Sequence, residues 1–187
     1  MFFIRVFAPL LIFTLAACQS SVQQNAEPPS EPVRSEPAPS AAVDESLLPN
    51  ARTPIEGVVS GGQPSYGQLQ QAKGKGYKTV INMRTAGEPT DFGDERKAVE
   101  DLGMAYIHIP VAGGAGVTVE NAKALADALA TAEKPLLLHC GSGNRIGALL
   151  AMKAFHIDGK SAEEAMQIGL NGGLTGLAPL VKEKLTK

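Results

Sequence analysis

Tryptophan is absent from this 187-residue chain, and aromatic residues make up only 5% of it. That removes the stacking platforms on which proteins lay single-stranded nucleic acid. No basic stripe takes their place. From Asn50 onward the chain holds 15 lysines and arginines against 14 acidic residues, a balance that gives a polyanion no footprint, so no nucleic-acid partner is expected. Cysteine occurs only at Cys18 and Cys140, and neither these nor the three histidines fall at zinc-like spacing. No metal and no other cofactor is expected. The mostly apolar run from Val6 to Ala17 is too short to span a bilayer but suits the core of a signal peptide. Large apolar residues then all but disappear until Leu47.

These absences divide the chain in three. Residues 1–17 read as a lipoprotein signal peptide. Arg5 is the only charge ahead of the apolar run, which ends in Leu15-Ala16-Ala17-Cys18, a segment that resembles a bacterial lipobox. That resemblance implies lipid on Cys18 and attachment to a membrane. Gln19, rather than Asp, follows it, which points to the periplasmic side of an outer membrane. Residues 18–49 read as a linker rich in Pro, Ser, Ala and Glu, too polar to build a core. Semi-extended, it would reach ~90 Å. Residues 50–187 are long enough for one domain with a single core. With Cys18 capped, Cys140 is the one free thiol, and no internal disulfide is available. A lone thiol kept in an oxidising compartment reads as reactive rather than structural.

The segment Leu136-Leu137-Leu138-His139-Cys140-Gly141-Ser142-Gly143-Asn144-Arg145 carries the chemistry. A continuous apolar run suits a buried strand. A glycine-rich turn follows, and Arg145 opens an amphipathic helix through Ile146, Leu149, Leu150 and Ala154. Loop N–H groups and a helix N-terminus there bind an oxyanion and lower a cysteine pKa together. Cys140 is the candidate nucleophile. Arg145 supplies a planar fork that matches two oxygens of a phosphoryl group. His139 is placed to orient the loop. Gly141, Ser142, Gly143 and Asn144 complete a phosphate-binding loop, in which Ser142 and Asn144 read as shaping residues.

Elsewhere, strand and helix patterns alternate. Strands are expected at Val58–Ser60, Thr79–Met83, Ala105–Ile109 and Leu136–His139. Helices are expected at Ser65–Lys75, Asp94–Leu102, Thr118–Thr131, Arg145–His156, Ser161–Ile168 and Thr175–Leu185. Such alternation predicts an α/β fold, with a mainly parallel central sheet flanked by helices and ligands beyond the strands' carboxyl ends. His108 and His156 read as surface or satisfied residues, and Asn171-Gly172-Gly173 as a plain turn. Gly113, Gly114 and Gly116 suit either a flap over the site or a loose connection.

The loop His139-Cys140-x-x-Gly143-x-Arg145 resembles that of the cysteine-dependent protein tyrosine phosphatase superfamily. It is most similar to a bacterial branch, the beta-lactamase-hydrolase-like phosphatases, in which four rather than five residues separate Cys and Arg. Ser60-Gly61-Gly62-Gln63-Pro64, Gly76 to Arg84, and Gly87-Glu88 extend the resemblance. It implies a cysteine-phosphatase-like fold and dual-specificity-like hydrolysis through phosphocysteine, without metal, of a phosphorylated substrate whose class the motif leaves open. Two departures stand out. Ile146 replaces the usual Ser or Thr after the arginine. No carboxylate lies between Asp101 and Glu120, where the superfamily keeps its general acid. Glu88, Asp91 and Asp94 are the alternative acid candidates. A rhodanese-like sulfurtransferase, with a similar Ser-Gly-x-Arg core, and a non-catalytic phosphate-binding module are the rival readings.

Overall fold

The computed structural model describes residues 46–186. The expected signal peptide, Cys18 and the linker up to residue 45 lie outside the described residues. Five short strands form one sheet: β1 (Arg52–Ile55), β2 (Val58–Gly61), β3 (Thr79–Asn82), β4 (Ala105–His108) and β5 (Leu136–His139). Their order is β1-β2-β5-β3-β4. β2, β5, β3 and β4 are parallel, and β1 is antiparallel to β2. The sheet is mainly parallel, as the alternating pattern predicts.

Sequence reasoning does not find β1. It is four residues long and contains Pro54, which lacks a ladder donor and belongs at a sheet edge. Its signal is the two-residue turn Glu56-Gly57, where Gly57 takes a φ of 72°.

Six helices cover the sheet: α1 (Tyr66–Gly74), α2 (Glu95–Asp101), α3 (Val119–Thr131), α4 (Asn144–His156), α5 (Ala162–Asn171) and α6 (Ala178–Lys184). Ser65, Asp94, Thr118 and Ser161 each accept a backbone N–H of the first turn and so start α1, α2, α3 and α5. Successive side chains of β5 go to opposite faces. Leu137 joins Val59, Leu69, Ala72, Val80 and Val99 in a core beneath α1 and α2. Leu136 and Leu138 join Val58, Ile81, Leu125, Leu149 and Val181 beneath α3 to α6.

The folded part reaches back into the stretch expected to be linker. Leu47 and Leu48 are fully buried in the α1/α2 core, and Gly62 N–H donates to Pro49 O at 2.7 Å. These are the first leucines after the signal segment, and burying them removes two large apolar side chains from water. At the other end α6 starts later than expected. The backbone N–H groups of Thr175 and Leu177 donate to Asn144 Oδ1, at 2.9 and 3.2 Å, which holds residues 175–177 in a turn.

The closest backbone approach lies between α4 and the chain leaving α5. A Cβ on Gly147 would sit 2.1 Å from Leu174 N and 2.5 Å from Gly169 O. Backbone on both sides cannot give way as a side-chain tip would. Gly147→Ala is expected to destabilise the domain by about 2 kcal/mol, read as a lower midpoint in urea unfolding with an unchanged slope.

Candidate active site

Gly61, His139, Asn82 and His108 stand side by side in register at the carboxyl ends of β2, β5, β3 and β4. The chain segments leaving the first three strands build the site. Cys140 N–H donates to Gly61 O at 3.2 Å, which ties the cysteine loop to the end of β2. Gly62 and Ser142 form an isolated antiparallel bridge. The Gly61-Gly62-Gln63 segment therefore buttresses the loop from one side. From the other, Gly173 lies close to Gly143: a Cβ on Gly173 would sit 3.2 Å from Gly143 O. The turn at Asn171-Gly172-Gly173 is thus a loop support and not merely a connection.

Cys140 is buried, with a 1% relative exposure. Its Sγ accepts the backbone N–H of Gly143 at 3.1 Å. Gly143 caps α4 with a φ of 98°, a left-handed conformation costly for any residue with a Cβ. The first intrahelical bond of α4 runs from Gly147 N–H to Gly143 O. The amides before it have no helical carbonyl to bond and face the loop. Partial positive charge at this helix end lies beside the sulfur.

Arg145 is held from behind. Its Nη1 donates to Glu88 Oε1 at 2.6 Å and its Nη2 to Glu88 Oε2 at 2.7 Å. Nη1 also reaches Val111 O at 3.0 Å and Met83 O at 3.4 Å. A guanidinium has five N–H donors in one plane, and these contacts occupy the end remote from the stem. Nη2 also lies toward the cysteine loop. Gly141 leaves the space for it, since a Cβ there would sit 3.3 Å from Nη2.

The same geometry corrects one expectation. Glu88 is not a proton donor. Its bidentate bond to Arg145 holds its carboxyl well below the usual carboxylate range, against the opposing pull of partial burial, and Thr85 adds two more hydrogen bonds to Oε1. Asp94 accepts Lys97 N–H at 3.1 Å as the cap of α2. Asp91 is exposed on the loop between β3 and α2. The loop after β4, where the superfamily keeps its acid, is a closed turn with Gly113 N–H on Val111 O and Gly116 N–H on Ala112 O. Asn144 points away from the cradle to Thr175 and Leu177. Its side chain is therefore occupied by the turn before α6.

Sequence reasoning misses a further group of side chains. Arg84, 7% exposed, donates from Nε to Glu88 Oε2 at 3.2 Å, from Nη2 to Pro89 O at 2.7 Å, and from Nη1 to Gln63 Oε1. Gln63 Nε2 and Asn82 Nδ2 both donate to Glu95 Oε2 at 3.1 Å. Glu95 Oε1 lies 2.5 Å from His139 Nε2, with both side chains buried. The approach is off the N–H direction, so neither atom completes a regular hydrogen bond. His108 Nε2 contacts Arg84 O at 2.7 Å from the edge strand. These residues form an arc from Arg145 through Glu88, Arg84, Gln63 and Glu95 to His139. The one sequence signal was polar residues where strands end, at Gln63, Asn82 and Arg84.

Residues 51–155 match the family model of the beta-lactamase hydrolase-like protein, phosphatase-like domain. The chain belongs to that family. A beta-lactamase hydrolase-like protein from Xylella fastidiosa (strain Temecula1) is 34% identical over 109 residues, which are 57% of this chain and 25% of the relative. One from Agrobacterium fabrum is 36% identical over 87 residues, 45% of this chain and 20% of the relative. The chain thus spans about a quarter of the length of the curated relatives it matches. A candidate phosphatase from Neisseria meningitidis z2491 superposes with a TM-score of 0.60 at 22% identity, covering 72% of this chain and 94% of that one. A second, from Shewanella putrefaciens, gives 0.56 at 21%, covering 76% and 95%. The phosphatase-like fold is therefore shared well beyond recognisable sequence. α5 and α6 follow the residues of the family match, yet Gly173 beyond α5 lies close to the cysteine loop.

Removing the Glu88 charge should loosen the fork and show a signature in pH. A carboxyl whose folded pKa is depressed adds stability above its unfolded value, about 4.3. That stability is lost as pH falls through lower values. The wild-type melting temperature should therefore fall more steeply from pH 6 to pH 3 than that of Glu88→Gln. Parallel curves in calorimetry would show that the ion pair adds nothing.

Proposed function

We propose that this domain hydrolyses phosphate monoesters through a phosphocysteine intermediate. The carrying observation is the convergence on one buried sulfur of a loop amide, the N-terminus of α4 and the guanidinium of Arg145. The family match supports the phosphatase reading over sulfur transfer. In the first step the Cys140 thiolate attacks phosphorus. A P–S bond forms as the P–O bond to the leaving group breaks. Loop N–H groups and the guanidinium of Arg145 hold the three non-bridging oxygens, whose charge rises in the transition state. Water then attacks phosphorus, the P–S bond breaks, and inorganic phosphate and the thiolate are released. Ile146 is fully buried in the core, so that position offers no hydroxyl to the departing thiolate.

Cys140→Ser is expected to abolish release of p-nitrophenol from p-nitrophenyl phosphate while phosphate still binds, and vanadate should inhibit the wild type. Arg145→Lys should lower kcat/KM by about 100-fold or more, because a point charge cannot replace the fork. Full turnover in either variant would remove the mechanism.

The turn from Val111 to Val117 holds no carboxylate, so the leaving oxygen departs without the superfamily's usual proton donor. General acid assistance contributes typically 10²–10⁴-fold. Aryl phosphates with acidic leaving groups should thus be cleaved at least ~100-fold faster than alkyl phosphates, measured as kcat/KM across a leaving-group series. Equal rates would reveal an acid on another element.

We further propose that lipid on Cys18 holds this domain at the periplasmic face of an outer membrane, on the support of the lipobox-like Leu15-Ala16-Ala17-Cys18. Cys18→Ala should then move the protein from the membrane pellet to the soluble fraction.

A further inference from the structure

We propose that Glu95 is a positioning residue for Cys140, acting through His139. The proposal rests on the phosphatase reading of the site and adds a residue to it. Glu95 opens α2, where a carboxylate is ordinarily exposed and only the helix dipole favours it. Here the residue is 5% exposed and turned into the sheet. Burying a carboxylate costs several kcal/mol unless partners replace its water. Three other segments supply them. Gln63 after β2 and Asn82 at the end of β3 each donate to Oε2 at 3.1 Å. His139 at the end of β5 brings Nε2 to 2.5 Å from Oε1.

His139 is itself fully buried. Among the described residues its Nδ1 has no hydrogen-bond partner, and its Nε2 has only the close approach of Glu95. The carboxylate of Glu95, 2.5 Å from Nε2, restrains the ring directly behind the nucleophile. His139 and Cys140 are consecutive, so anchoring the His139 side chain also anchors the adjoining backbone from which Sγ is held 3.1 Å from Gly143 N.

Glu95 is also a joint between the two halves of the site. Asn82 bonds Glu95 through Nδ2 and accepts Arg84 N–H on Oδ1 at 2.7 Å. Arg84 in turn braces Glu88 behind Arg145. The residue before the nucleophile and the oxyanion fork are thus joined through one polar network, by a close approach at the His139 end and hydrogen bonds at the other.

The test is a cycle on the full-length chain: wild type, Glu95→Gln, His139→Asn and the double variant, with Glu95→Asp as the conservative replacement. Glutamine keeps the shape of the buried side chain. Glu95→Gln should lower kcat for p-nitrophenyl phosphate about tenfold, as loss of an orienting partner does, and leave KM within about twofold. His139→Asn should fall at least as far, and the double variant no further than His139→Asn alone. Glu95→Asp should recover part of the loss. Wild-type kcat in Glu95→Gln, or losses that multiply in the double variant, would overturn the proposal. Iodoacetamide labelling of Cys140, followed by mass spectrometry of its peptide, runs the same cycle without turnover. If the wild type hydrolyses nothing, the phosphatase reading fails, while the labelling rates still decide the role of Glu95.

Discussion

The bidentate pair between Glu88 and Arg145 is the constraint to which the rest of the site conforms. An arginine at the start of a helix has many rotamers and, alone beside a cysteine, would fold over it or extend into solvent. Glu88 approaches from the loop after β3 and takes the outer end of the guanidinium at 2.6 and 2.7 Å, while Nη2 lies toward the cradle. Two backbone carbonyls, Met83 O and Val111 O, fix the same end. The fork is thereby set before any ligand arrives, and the ordering entropy of a long side chain is spent on folding rather than on binding. Coulomb attraction at this distance is screened little in a partly buried site, so the pair resists salt where a surface pair would not.

That arrangement requires a polar layer inside an otherwise apolar sheet. Between the ends of β2, β3 and β5, Gln63, Asn82, Arg84 and Glu95 hydrogen-bond to one another, and His139 lies against Glu95. Below them Val59, Val80 and Leu137 belong to an apolar core. Such a layer is costly if one member is lost, because each loss leaves a buried donor or acceptor unpaired. It also defines a single arrangement, which an apolar layer of equal volume would not impose. On the opposite face the support is steric. Gly147 lets the backbone beyond α5 come into contact with α4, and Gly173 lies close to Gly143. The cysteine loop is clamped between a hydrogen-bonded layer and a close-packed one.

Much of this was legible in the chain itself. The four parallel strands, all six helices and the caps Ser65 and Thr118 follow from periodicity and N-cap chemistry, because both act between residues a few positions apart. The strand-to-helix turn at Cys140 was legible for the same reason. What escaped was set at longer range. β1 is too short to declare a period, and Leu47-Leu48 is too brief to mark a boundary. Glu88, read as a candidate acid, became a brace because Arg145 comes to it from 57 residues away. Glu95 looked like an ordinary residue in the first turn of a helix until the sheet register placed Asn82 beside His139.

Short-range patterns in the chain therefore account for every element except β1, for the apolar faces that pack them into an α/β sheet, and for the local cradle from Cys140 to Arg145. Each rests on interactions within one helix turn, one strand or one loop. Tertiary structure alone decided what the carboxylates do. Whether an acid donates a proton, caps a helix or locks an arginine depends on the charges and dipoles within about 4 Å of it, and here those neighbours come from distant parts of the chain.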